Sequence, residues 1–131
     1  TQEGPYAGFD AIYTYSRAQA IEDGVLIDVT EMAKGVGVKI HTAVTSAVWE
    51  KYVQVPEGVE GQGQSVNGRL WDVLFMFVAE VRRHRDEHEF LYQIYSIDNI
   101  GKRLGTLKAN IGPGDEGEPV LTILLEDGDW I

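Results

Sequence analysis

Apolar positions come in short bursts along this chain, and their spacing changes character near residue 90. Residues 1–14 carry Tyr6, Phe9, Ile12 and Tyr13, with Tyr15 just beyond, in no clear period; this stretch reads as an arm that packs through its aromatics. Ser16 has Gln19 three residues on, which fits a capping box, and Asp23-Gly24 supplies a stop, so SRAQAIEDG is a short helix. VLIDV (25–29) is a short apolar strand, and Thr30 caps a second short helix, TEMAK, ended by Gly35. Val38 to His41 pairs briefly as another strand. Thr45 is the next good N-cap; Val44, Val48, Tyr52 and Val55 line one face of an amphipathic helix, with Trp49 on its flank and Pro56-Glu57-Gly58 at its end.

Residues 56–68, PEGVEGQGQSVNG, hold four Gly and no periodicity, the mark of a mobile loop. They do not make a phosphate cradle. The glycines follow a helix rather than a strand, no Lys is present, and their pattern is GxGxxxxG rather than a dinucleotide fingerprint. Residues 69–85, RLWDVLFMFVAEVRRHR, give the strongest element. Leu70, Leu74, Phe77 and Val81 line one face, and Trp71, Val73, Phe75, Met76 and Val78 fill most of the rest. A helix apolar almost all round is buried centrally or offers its spare face to another chain, so homodimerisation through it is a side expectation. Arg82, Arg83 and Arg85 sit where cations complement the C-terminal dipole.

The remainder reads as β. FLYQIYSI (90–97), RLGTLKANI (103–111) and PVLTILLED (119–127) are separated by Asn99-Ile100-Gly101 and by GPGDEGE. In the second break Gly112, Gly114 and Gly117 are expected to supply positive φ angles, and Pro119 can begin a strand without needing an N–H. The pattern predicts an α+β fold: a three- or four-stranded antiparallel sheet, its C-terminal part a meander, with helices packed mainly on one face. The whole of 1–131 is expected to form a single domain.

Composition then narrows the function. Apolar residues are 44% and charged residues 24% of 131, as in an ordinary globular protein. No apolar run is long enough for a membrane span, and TQEGPYAGFD does not read as a secretory signal. The absence of Cys removes disulfides and thiolate chemistry, and a cytoplasmic protein is expected. Net charge is −10, with no basic residue after Lys108, while Asp115, Glu116, Glu118, Glu126, Asp127 and Asp129 follow it. Direct nucleic-acid binding is disfavoured, since the basic cluster Arg82-Arg83-His84-Arg85 is small. Acidity instead suits steering toward a basic or nucleic-acid-binding protein.

Candidate chemistry is thin. Asp115, Glu116 and Glu118 lack the alternation of a calcium loop. Glu80, His84 and His88 stand four apart and would share a helix face as a two-His-one-carboxylate metal set, but the last lies where the helix should end, and no HExxH occurs. Asp28 and Asp72 are the candidate acids or bases; turn hydrogen bonding and the helix N-terminal dipole explain them more simply. Ser16, Ser46, Ser65 and Ser96 lack a nucleophile elbow. No cofactor is expected.

AIEDGVLIDVTEMAKGVG, AVTSAVW, GRLWDVL and GPGDEGEPVLTILL, in that order, resemble a family of small uncharacterised bacterial proteins carried on plasmids, phages and other mobile elements. The resemblance covers 20–49, 68–74 and 112–125, leaving out the arm and the loop at 56–67. It implies no activity and no catalytic residues; its context is that of proteins that act on host proteins. The leading expectation is therefore a non-enzymatic accessory protein that binds another protein through Asp115, Glu116 and Glu118 or through the Trp49–Trp71 region. A metal-dependent or hydrolytic enzyme using Asp28, Asp72, Glu80, His84 or His88 is the second reading. A small-ligand binder with an aromatic pocket from Tyr13, Trp49, Trp71 and Tyr92 is the third.

Overall fold

The structure, a computed structural model, describes residues 15–59, 61 and 63–129. The aromatic arm, Tyr13 included, lies outside these residues. Helix α1 (Arg17–Glu22) leads into strand β1 (Leu26–Asp28), helix α2 (Thr30–Gly35) and strand β2 (His41–Thr45). A short helix α3 (Ser46–Val48) widens into a π-helical turn, Trp49–Val53. Helix α4 (Val66–Val81) ends in a 3₁₀ turn (Arg82–His84), and β3 (Glu89–Ile97), β4 (Lys102–Pro113) and β5 (Pro119–Leu125) follow.

The fold is α+β, but its sheet has five strands in the order β1-β2-β5-β4-β3 and is mixed. The meander β3-β4-β5 is antiparallel as expected, whereas β2 pairs parallel with β5, His41 beside Val120 through Val44 beside Ile123. The antiparallel three- or four-stranded sheet is thus corrected to a sheet in which the C-terminal strand is inserted between the two ends. A parallel neighbour needs a long crossover, and everything from α3 to β4 serves as one here.

Three local readings shift as well. The brief strand foreseen at 38–41 lies instead at His41–Thr45, so Val44 faces the sheet core rather than a helix face. Thr45 does cap a helix, its hydroxyl accepting from the Val48 N–H at 3.2 Å, but that helix is one turn before the π turn. Helix α4 starts earlier than the apolar pattern shows, because Ser65 accepts the Gly68 N–H at 3.0 Å.

Alternate residues of β3 separate the sheet's faces. Phe90, Tyr92 and Ile94 are buried beneath α4, joined by Leu70, Val73, Leu74 and Phe77 and by Leu107, Ala109, Leu121 and Ile123 from β4 and β5. Phe77 stacks on Phe90 at 5.8 Å, and Tyr92 donates its hydroxyl to the Val73 carbonyl at 2.9 Å. The opposite face is covered near β1 and β2 by α1, where Ala20, Leu26 and Ala43 form a small second cluster. Among the described residues no helix is long and apolar enough to cross a membrane.

Candidate functional site

The acidic loop between β4 and β5 has a structural assignment. The first backbone N–H groups of a helix lack internal partners. In α1, Arg17 N–H and Ala18 N–H donate to the two oxygens of Asp115 at 2.7 and 3.0 Å, and Gln19 N–H donates to Ser16 Oγ at 2.9 Å. Those two backbone hydrogen bonds hold the Asp115 carboxyl below its ordinary value. Of the three loop carboxylates, Asp115 is committed to this cap and Glu118 accepts from the Glu116 N–H at 3.0 Å. Of the loop glycines only Gly117 has positive φ, at 84°; Gly112 and Gly114 do not, correcting the expectation for both. Gly112 continues β4, where extended backbone suffices.

The cap holds Arg17 over the parallel junction. Its guanidinium, buried to 6% exposure, donates to Thr122 Oγ1 at 2.6 Å, to the Leu121 carbonyl at 2.7 Å and, through Nε, to His41 Nδ1 at 3.2 Å. An Nδ1 that accepts from Arg17 leaves the neutral ring's proton on Nε2, which faces Asp28 Oδ2 at 3.3 Å. Asp28 also accepts from the Thr30 N–H and hydroxyl at 3.0 and 2.6 Å. Partial burial pushes its carboxyl up, but the Thr30 bonds and His41 together outweigh that, and the net direction is down. This Asp-His-Arg array joins β1, β2, β5 and α1. Both imidazole nitrogens are engaged, so neither is left to take a proton from a substrate.

A second buried arginine fastens the other end of the sheet. Arg69 (6% exposed) donates to the Ile97 carbonyl at 2.8 Å, Ser96 Oγ at 3.2 Å and Gln64 Oε1 at 3.0 Å, beside a cavity of about 170 Å³ that Asp72, Tyr52 and Lys102 also line. Burial lowers the Arg69 pKa. Asp72 is exposed on α4 and close to neither Asp28 nor His84 in any hydrogen bond or ion pair among the described residues.

The proposed metal set closes only in part. His84 Nε2 lies 3.9 Å from Glu80 Oε1, its Nδ1 lies 2.8 Å from Glu87, and its ring stacks on Phe90 at 4.2 Å. His88 is exposed beyond the 3₁₀ turn, with its backbone carbonyl bound to the Ile111 N–H. Among the described residues no three His, Asp or Glu side chains are grouped to hold a metal ion. The aromatic-pocket residues also part: Tyr92 is sealed in the core, whereas Trp49 borders a shallow cleft with Ile27, Met32 and Leu70.

What the structure does assemble is an apolar surface. The core face of α4 is satisfied by the sheet, yet Trp71 (41% exposed), Phe75 (50%) and Met76 (37%) remain uncovered on its other side. Trp71 lies against α2, close enough that a Cβ on Gly35 would stand 3.4 Å from its ring. Met76 opens onto a cleft of about 580 Å³ bordered by Leu91, Tyr95 and Leu104, all about half exposed or more. Trp71 was visible in sequence as a candidate. Phe75, Met76, Leu91, Tyr95 and Leu104 were legible only as apolar residues of helix and strand, since their exposure depends on which face the sheet covers.

Comparison with curated proteins and with solved structures finds no match. One family model does match, over residues 3–129, and so takes in both the aromatic arm and the Gly-rich loop that the four sequence blocks left out. The chain therefore belongs to DUF6573, described as a family of unknown function.

Proposed function

We propose that this protein is a non-catalytic protein-binding module, an accessory protein of a mobile genetic element, whose contact surface is apolar rather than acidic. The observation that carries this reading is the exposure of Trp71, Phe75 and Met76 on the central helix. Contiguous apolar surface costs solubility and is kept where a partner covers it. Aromatic side chains are also the residues that most often dominate interface energies. The acidic loop supports the reading less well, because Asp115 and Glu118 are already used within the chain. The mobile-element context rests on the four-block resemblance.

The test is affinity capture from host lysate with wild type, Phe75→Asp, Trp71→Ser, and a triple variant Asp115→Asn, Glu116→Gln, Glu118→Gln. The expected result is one partner retained by the triple variant and lost by Phe75→Asp. An interface aromatic of this kind carries roughly 2 kcal/mol or more, about 30-fold in Kd. Loss only in the triple variant would transfer the site to the loop, and no partner at all would end the proposal.

A further inference from the structure

The two edges of the sheet are built differently. At one end β1 is three residues long. At the other, β3 offers nine residues whose pairing with β4 runs one-to-one from Glu89–Asn110 to Ile97–Lys102, with no bulge and no proline. Sheet edges that stay unpaired are normally blunted by short length, bulges, proline or charge. The outward face of β3 instead carries Leu91, Gln93 and Tyr95 through its middle, with Tyr95 63% exposed.

We infer that β3 is a self-association edge: a second copy of this chain pairs its own β3 antiparallel to it, with the two-fold axis at Gln93, joining the two sheets into one. The inference goes beyond the protein-binding reading and concerns a different surface, the sheet edge rather than the exposed side of α4. The strand is self-complementary about that residue. Gln93 meets Gln93, Leu91 meets Tyr95, and Glu89 meets Ile97, every pair on the outward face because paired residues in a sheet share a side. Charge agrees. Glu89, half exposed while accepting from Asn110 Nδ2 at 3.0 Å and lying 3.9 Å from Lys108 Nζ, stands at one end of the outward face, and Lys102, the β4 neighbour of Ile97, stands at the other, its ammonium 4.8 Å from the Tyr95 ring. An antiparallel two-fold brings the carboxylate of one copy toward the ammonium of the other at both ends. A parallel alignment of the same edges would set acid on acid. Among the described residues no strand pairs with the outer edge of β3, and a cleft lined by Met76, Glu80 and His84 on the helix side runs beside it.

Sedimentation and light scattering across a concentration series test this on wild type, Gln93→Glu, Gln93→Lys and Phe75→Asp, each checked for native circular dichroism. Wild type is expected at twice the 14.6 kDa chain mass. Each Gln93 variant places like charges face to face at the axis and should weaken the dimer by roughly tenfold or more in Kd. An equimolar mixture of the Glu and Lys variants should restore it, while Phe75→Asp should stay dimeric. A wild type that is monomeric throughout overturns the inference. So does a dimer indifferent to both Gln93 variants but dissolved by Phe75→Asp, which would leave the apolar-helix reading standing on its own.

Discussion

Removing the Asp115 side chain tests the assignment of the acidic loop as a helix cap rather than a contact surface. In Asp115→Ala, the Arg17 and Ala18 N–H groups lose acceptors at 2.7 and 3.0 Å, while Ser16 continues to serve Gln19. Loss of a capping side chain costs about 1 kcal/mol, with a ceiling near 2. For a domain of this length that lowers Tm by roughly 3–6 °C per kcal/mol. Glu116→Gln is the internal control, since its carboxylate has no hydrogen bond or ion pair among the described residues, and it should stay within about 0.5 kcal/mol of wild type. The sign with pH follows from the downward shift of Asp115. Its stabilisation is complete above the unfolded carboxyl value of 3.8 and is lost as pH falls through the lower folded value. Thermal melts from neutral pH into the acid range on wild type, Asp115→Ala, Asp115→Asn and Glu116→Gln read both effects. Equal melting of Asp115→Ala and Glu116→Gln would refute the cap. So would an acid limb in Asp115→Asn as steep as in wild type.

Arg69→Met should cost roughly 2–3 kcal/mol in urea unfolding, because the Ile97 carbonyl and Ser96 lose a charged donor and the α4–β3 tie with it. Gly105→Ala would place a Cβ 2.6 Å from the Tyr52 ring, so a loss of about 1–3 kcal/mol is expected. Tyr52→Leu in the same chain should recover part of that loss in a double-mutant cycle. Tyr92→Phe removes the bond to the Val73 carbonyl and should lower stability by about 1 kcal/mol, measured by the same unfolding curves.

Elements whose cause is local were legible in the sequence. Ser16 and Asp23-Gly24 bracketed α1, with Gly24 at φ 80°, and the turn chemistry at Asn99-Ile100-Gly101 and Gly117 marked the meander. The Ser16–Gln19 box held on one side only: Ser16 caps Gln19, but the Gln19 amide turns to Asp23 at 3.0 Å. What escaped was set by partners distant in the chain. HTAVT looks like the approach to a helix until β5 lies beside it, and nothing near residue 41 announces a neighbour at residue 120. The role of Asp115 escaped for the same reason, since the helix it caps begins 98 residues earlier. Asp28 found His41 through the β1–β2 pairing, which places Asp28 opposite Ala43.

The insertion of β5 between β2 and β4 also governs the order in which the molecule can come together. Helix α1 with β1 and β2 forms one group, and the β3–β4 hairpin with α4 forms another, yet the sheet joins them only through β5. That strand is made after both groups during synthesis, so on the ribosome each would wait with an exposed sheet edge and half a core. Closure must then gather contacts about eighty residues apart in a single late step, as in the pairing of His41 with Val120, where chain entropy is at its most costly. The topology therefore predicts that the native sheet closes only after residue 125 has been made, and that until then both halves expose the unpaired edges and apolar surface that make folding intermediates prone to aggregate.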